Sequence, residues 1–325
     1  MKVVIIGKGE MLSNLIEGTI DGGCEIVGVL RYERIKLPKF VLAVRDFFKS
    51  SPDVTIIKQH KIHEIKCKSV NSEAFKKEVL KLNADVILVG TWAEKIKQDV
   101  INMPVIACVN VHPSFLPKYR GPNPYLQTIL HQESKSGITF HLMNDEFDKG
   151  AIVAQKEIPI FPNDTSKELK ERTVFQARLM CAEVLKKLEY GLVIPVEQDE
   201  KQATYFPNIK SCDMMLDFEK ETAEQISARI RAFHPWLPCY VTYKNKFFVP
   251  NPYKLKLFDA DYTAKIVEKS GMSNPKAGDI ICTHYKSRTI IVMCKNGKSI
   301  KMVGTHLYGF FNKPFTKMFI KNIKF

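Results

Sequence analysis

An amide, an imidazole and a carboxylate stand within one stretch of this sequence. Asn110 and His112 lie at the end of a short apolar run, Val105 to Val111. Residues two apart in a strand point to the same side, so both side chains leave the strand end together. Pro113 and Pro117 prevent regular pairing beyond that point and turn the chain into a loop. Asp148 follows in Phe147-Asp148-Lys149-Gly150, between two further apolar runs. Such a set suits work on a carbonyl. The amide NH2 donates to the oxygen, the imidazole stabilises or protonates the oxyanion, and the carboxylate charges the imidazole or takes a proton from the attacking nucleophile. No Ser or Cys occupies a nucleophile elbow, which favours direct attack by the substrate's own nucleophile over an acyl-enzyme.

At these residues the sequence resembles the formyltransferases that use 10-formyltetrahydrofolate. The family pattern is Asn-x-His, a Ser-Leu-Leu-Pro-like loop, Arg-Gly and a later Asp-x-Gly. Here these read Asn110-Val111-His112, Ser114-Phe115-Leu116-Pro117, Arg120-Gly121 and Asp148-Lys149-Gly150. The resemblance implies Asn110, His112 and Asp148 as catalytic residues, with 10-formyltetrahydrofolate as co-substrate. It also implies that the folate lies against Ser114, Phe115, Leu116 and Pro117 and against the loop after an earlier strand, where Gly90 admits close approach and Trp92 stacks on a flat heterocycle. For Trp92 the alternative is a ring covering the sheet edge. Lys118 and Arg120 are expected to face acceptor phosphate; their alternative is loop anchoring.

The chain has 325 residues, 45% apolar and 26% charged, enough for two ordinary soluble domains. Its eight cysteines form no CxxC pair and read as reduced thiols. His60, His63 and Cys67 lie in a Lys-rich loop without a fourth ligand, so no metal is expected. The apolar run Val3 to Ile6 is too short for a signal peptide core, and no stretch of about 18 apolar residues occurs, which predicts a cytoplasmic protein without a membrane partner.

Positioning these groups requires a sheet. Val3–Ile6, Glu25–Val29, Val54–Ile57 and Val86–Gly90 read as strands, with a helix from Ser72 to Leu82 and one after Gly7-Lys8-Gly9. The alternation predicts an α/β fold, a Rossmann-like parallel sheet with ligands at the carboxyl ends of its strands. Leu12 replaces the third glycine of a dinucleotide fingerprint and no acidic residue ends the second strand, so NAD is not expected. Ile138–Met143 and Ala151–Ile158 flank the Asp148 loop, and Ser166–Leu188 is a helix capped by Thr165 and Glu168. These divisions give a catalytic domain over 1–190 and a linker over 191–208.

Residues 209–325 begin with a helix, Ala223–Phe233, and continue as six short alternating runs with turns such as Asn296-Gly297. They predict a small antiparallel β-barrel, OB-like. Residues 201–325 hold 21 Lys and Arg against 9 Asp and Glu, whereas the rest is nearly balanced. That asymmetry points to a polyanionic partner, nucleic acid first. Ala203-Thr204-Tyr205 and the Arg231-Ala232-Phe233-His234-Pro235-Trp236 segment resemble the two-domain members of the family, whose acceptor is the methionyl amine of initiator tRNA. The chain departs from them after its second strand, where Arg31-Tyr32-Glu33-Arg34-Ile35-Lys36 is basic but lacks a glycine-rich loop. The alternatives are N-formylation of a nucleotide-linked amino sugar, transfer to glycinamide ribonucleotide, and a non-enzymatic RNA-binding protein on an inactive scaffold. Intact Asn110, His112 and Asp148 count against the last.

Overall fold

A computed structural model of the chain describes residues 1–31, 51–243 and 246–307. The basic run at residues 32–36 lies outside the described residues. Two compact units are present, one of residues 1–124, 135–159 and 170–207, the other of residues 125–134, 160–169 and 208–325.

The first unit is built on a six-stranded sheet. Its strands are β1 (Lys2–Gly7), β2 (Glu25–Arg31), β3 (Val86–Gly90), β4 (Ala107–His112), β5 (Lys135–Leu142) and β6 (Ile152–Pro159). Their order is β2-β1-β3-β4-β5-β6. The first four run parallel, β5 pairs antiparallel to β4, and β6 pairs antiparallel to β5. Strand β1 over residues 3–6 and the whole of β3 are buried because helices cover both faces.

Helix α1 (Gly9–Asp21) returns across the sheet. The next helix among the described residues is α2 (Pro52–Gln59), where the sequence reading placed a strand at residues 54–57. The short apolar run fits either period. What decides is the start signal, Ser51 at the cap and Pro52 in the first turn, where its missing N–H costs nothing. Val54, Ile56 and Ile57 then form one buried face. Asp53 is also buried, and its Oδ2 accepts from the Gly9 N–H at 2.9 Å, at the head of α1. The place beside β2 is taken by residues 63–65, which exchange backbone hydrogen bonds with Val29.

The sheet's order reverses between β1 and β3, and Gly7 is the register partner of Gly90. A Cβ on Gly7 would stand 2.3 Å from the Gly90 carbonyl oxygen, and one on Gly90 2.6 Å from Leu15 Cδ1. The glycine at 90 lets α1 pack closely against the end of β3. Helices α3 (Glu73–Leu82) and α4 (Gln98–Ile101) cover the opposite face, where Phe75, Val79, Val100 and Ile101 join Val4, Ile6, Ile87 and Val89. Among the described residues no helix is long and apolar enough to cross a membrane.

The second unit holds α5 (Pro124–Leu130) from Tyr125 onward, the first turn of α6 (Ser166–Glu189), and α7 (Ala223–Phe233). Beyond these it contains β7 (Val241–Tyr243), β8 (Lys246–Val249), β9 (Leu255–Phe258), α8 (Ala260–Ser270), β10 (Ile280–His284), β11 (Thr289–Met293), β12 (Ser299–Met302) and β13 (His306–Leu307). The strands make an antiparallel four-stranded sheet, β10-β11-β12-β9, and a three-stranded one, β13-β8-β7. Gly297, at φ 71°, closes the β11–β12 hairpin at the expected Asn-Gly turn. Helix α8 has no counterpart in the sequence reading. Asp259 caps it, accepting from the Tyr262 N–H, and its Ile266 and Val267 pack on Phe258, Ile281 and Ile291.

Candidate active site

Strand β4 delivers Asn110 and His112 to one side. In the β4–β5 register Asn110 faces His141 and His112 faces Thr139. His112 is buried, and both ring nitrogens meet oxygen acceptors. Nδ1 lies 3.3 Å from Asp148 Oδ1, and Nε2 lies 3.0 Å from the Tyr119 carbonyl oxygen. Satisfying both acceptors requires a proton on each nitrogen, the imidazolium form. Burial opposes that charge. The charge and hydrogen bond of Asp148, with the Tyr119 carbonyl, outweigh it and hold His112 above its ordinary 6.5. For Asp148 burial pushes upward, yet the His112 charge and hydrogen bond and the Gly121 N–H hold it at about 2. Asp148 Oδ2 accepts from that Gly121 N–H at 2.9 Å.

Two glycines of the motifs have steric causes. A Cβ on Gly150 would lie 1.7 Å from the Leu142 carbonyl oxygen, and one on Gly121, at φ 113°, 2.2 Å from the Phe206 carbonyl oxygen. The chain thus brings the Asp148 loop and the 114–121 loop close to neighbouring backbone where only hydrogen fits.

Asn110, Trp92, His141 and Asp148 line one cavity, with about 470 Å³ free of atoms, part of it open to solvent. Val89, Ile96, Met143 and Phe147 supply its apolar walls. Glu94 fixes the loop that carries Trp92 by accepting from Ser69 Oγ, the Val70 N–H and Asn71 Nδ2.

The loop at residues 114–117 does not line this cavity. Ser114 is fully buried and its Oγ donates to the Lys118 carbonyl, while Leu116 is buried with its N–H on Thr139 Oγ1 and its carbonyl on Gln155. Phe115 packs over Gly137, and the Pro117 carbonyl accepts from the Thr204 N–H. These contacts stiffen the loop.

Arg120 is held from within the protein. It is buried, and its guanidinium donates from Nη1 and Nη2 to the Glu200 carboxylate at 2.9 and 2.7 Å. Nε and Nη2 donate to Gln198 Oε1 at 3.2 and 2.7 Å. With its fork occupied by these partners, Arg120 anchors the loop. Lys118 is exposed and makes no ion pair among the described residues.

Three participants escaped the sequence reading. His141 donates from Nδ1 to the Leu142 carbonyl at 2.8 Å, and its Nε2 lies 3.0 Å from Asn110 Nδ2. Burial pushes its pKa down to about 4, so the two histidines sit in opposite charge states. Its one available signal was a polar residue in an apolar strand. Gln198 donates from Nε2 to the carbonyls of Asp148 and Gly150, both at 2.8 Å. Thr204 accepts from Tyr119 N–H and Arg120 N–H. Gln198 and Thr204 come from 191–208, the stretch expected as a linker, which carries no periodic signal.

Residues 1–185 match the family described as Formyl transferase, and residues 208–307 match Formyl transferase, C-terminal domain. The chain belongs to the formyltransferase family. This formyltransferase is 32% identical over 233 residues to a methionyl-tRNA formyltransferase of Thermotoga sp. (strain RQ2), covering 72% of each chain. With the methionyl-tRNA formyltransferase of Ehrlichia canis (strain Jake) it is 29% identical over 307 residues, covering 93% of this chain and 91% of that one. Among solved structures it resembles WlaRD, a sugar 3N-formyl transferase, at TM-score 0.65 and 19% identity, covering 93% of this chain and 97% of that one. The N-formyltransferase of Helicobacter canadensis gives TM-score 0.63 at 17% identity, covering 95% and 100%.

Proposed function

We propose that this cytoplasmic enzyme transfers the formyl group of 10-formyltetrahydrofolate to the methionyl amine of initiator tRNA. The observation that carries the acceptor is the similarity to the Ehrlichia canis methionyl-tRNA formyltransferase across 93% of the chain, through both family regions. The cavity suits the donor, since Trp92 and Phe147 offer flat apolar surface and Asn110 and Asp148 stand at the reacting end. The folate supplies a formyl carbon bonded to a nitrogen that can leave.

Asn110 donates its amide hydrogen to the formyl oxygen. The His112 cation, its Nε2 engaged by Tyr119, stabilises negative charge on that oxygen through its fixed positive charge. Asp148 keeps that cation in place. As the new C–N bond forms, the amine nitrogen becomes acidic, and Asp148 passes its proton to the departing folate nitrogen as the old C–N bond breaks. Formylated amine and tetrahydrofolate result.

The second unit fits a polyanion. Lys256 faces Lys301 directly in the β12–β9 register. Like charges so placed disfavour a sheet by themselves and are compatible with an anionic partner. A nucleotide-linked amino sugar is the second reading, favoured by the likeness to sugar formyltransferase structures. Labelled formyl offered side by side to methionyl initiator tRNA and to dTDP-linked amino sugars tests both. Label on the tRNA is expected, and label on a sugar alone overturns the reading.

A further inference from the structure

Asn110 and His141 are register partners on adjacent strands, and their contact has a direction. His141 Nδ1 lies 2.8 Å from the Leu142 carbonyl oxygen, an atom that only accepts, so the ring proton is on Nδ1. Nε2 then presents a lone pair 3.0 Å from Asn110 Nδ2. Only an N–H satisfies it. A flipped Asn110 amide would set two acceptors against each other in a buried place, which costs more than a missing hydrogen bond.

We propose that His141 is a positioning residue for formyl transfer: it commits one Nδ2 hydrogen of Asn110 and leaves the other for the formyl oxygen. The assignment rests on the reading of Asn110 as the donor to that oxygen. His141 never touches substrate in this scheme. It fixes which edge of the amide does. Its burial, at 2% exposure, keeps water from competing for the lone pair. The same burial disfavours the imidazolium, which would turn Nε2 into a donor and drive the Asn110 amide over. A residue that merely filled this space between β4 and β5 would need no nitrogen at Nε2, and this difference is testable.

The experiment compares wild type, His141→Leu, His141→Gln, Asn110→Ala and the Asn110→Ala/His141→Leu double variant. The reaction is transfer from 10-formyltetrahydrofolate to methionyl initiator tRNA. Loss of the acceptor in His141→Leu is expected to lower kcat by roughly 10- to 100-fold, with the KM for the folate within about twofold of wild type. His141→Gln, which can offer its side-chain oxygen to Asn110, is expected to recover most of kcat. The double variant is expected to be no worse than Asn110→Ala. If Asn110→Ala is disabled while His141→Leu turns over within about twofold of wild type, the proposal is overturned and the reading of Asn110 survives. If Asn110→Ala itself turns over normally, the reading of Asn110 fails instead. Nitrogen NMR of histidine-labelled wild type gives an answer without any variant: the Nδ1–H tautomer is expected for His141, and an Nε2–H signal refutes the assignment.

Discussion

Asp148 meets His112 from a left-handed backbone position, at φ 59°, with Oδ1 3.3 Å from the imidazole Nδ1 and Oδ2 on the Gly121 N–H. One carboxylate therefore charges the imidazole and ties the two site loops together. The substitution Asp148→Asn keeps the shape and removes the charge. We expect kcat to fall by about 100-fold or more, since the carboxylate that holds the imidazolium is gone. Single-turnover formyl transfer checks this, and near-normal turnover by Asp148→Asn or His112→Ala would remove the pair from the mechanism.

The same pair sets a pH window for stability. His112 has its folded pKa raised above 6.5, so its contribution is complete below 6.5 and is lost as pH rises through the folded value. Asp148 has its folded pKa lowered to about 2 from 3.8, so its contribution is complete above 3.8 and is lost as pH falls toward 2. The pair's stabilisation is thus greatest between 3.8 and 6.5. Tm measured across pH for wild type and Asp148→Asn should show a difference that is largest in that window and shrinks on both sides.

Gln198→Ala should damage the site through the backbone that carries Asp148. It strips the carbonyls of Asp148 and Gly150 of their donor and leaves Arg120 Nε without its acceptor. Buried groups left unpaired cost about 1–3 kcal/mol. We expect a loss of that order in urea unfolding, with lower kcat and little change in tRNA affinity.

Lys118 and Arg120 should separate in a salt titration. Lys118→Ala is expected to raise the KM for the tRNA and to flatten its dependence on salt, as loss of one phosphate contact does. Arg120→Lys, with the fork lost inside the protein, is expected to lower stability and kcat while the salt slope stays as in wild type. Equal slopes for Lys118→Ala and wild type would take Lys118 out of the acceptor surface.

Lys301→Glu should relieve the like-charge pairing with Lys256 and yet weaken the enzyme's hold on tRNA. An unchanged or raised Tm together with a several-fold higher KM for tRNA is the expected outcome. A KM that does not move would detach this face of the second unit from acceptor binding.

Much of the site was legible because strand period and carbonyl chemistry act locally. Asn110 and His112 two apart on a buried strand must share a side, and Asp-x-Gly marks a loop whose glycine the Leu142 carbonyl demands. Other features depend on partners far along the chain. Gln198 has value only because the carbonyls of Asp148 and Gly150 lie beside it, and nothing in 191–208 announces that. Arg120 looked like a phosphate ligand because its fork suits one, and Glu200 and Gln198 already occupy it. The helix at Pro52–Gln59 was misread from the four letters Val54 to Ile57, although Ser51 and Pro52 carried the better signal. The antiparallel pairings β4–β5 and β5–β6 are a matter of strand direction, which periodicity does not encode.

Asp53 gives the head of the first helix a second meaning. In dinucleotide-binding folds that place receives a pyrophosphate, drawn by free N–H groups and the helix dipole. Here the chain seats its own buried carboxylate there, on the Gly9 N–H. A phosphate brought to that helix head would meet a fixed negative charge, so the fold closes its own anion seat from within.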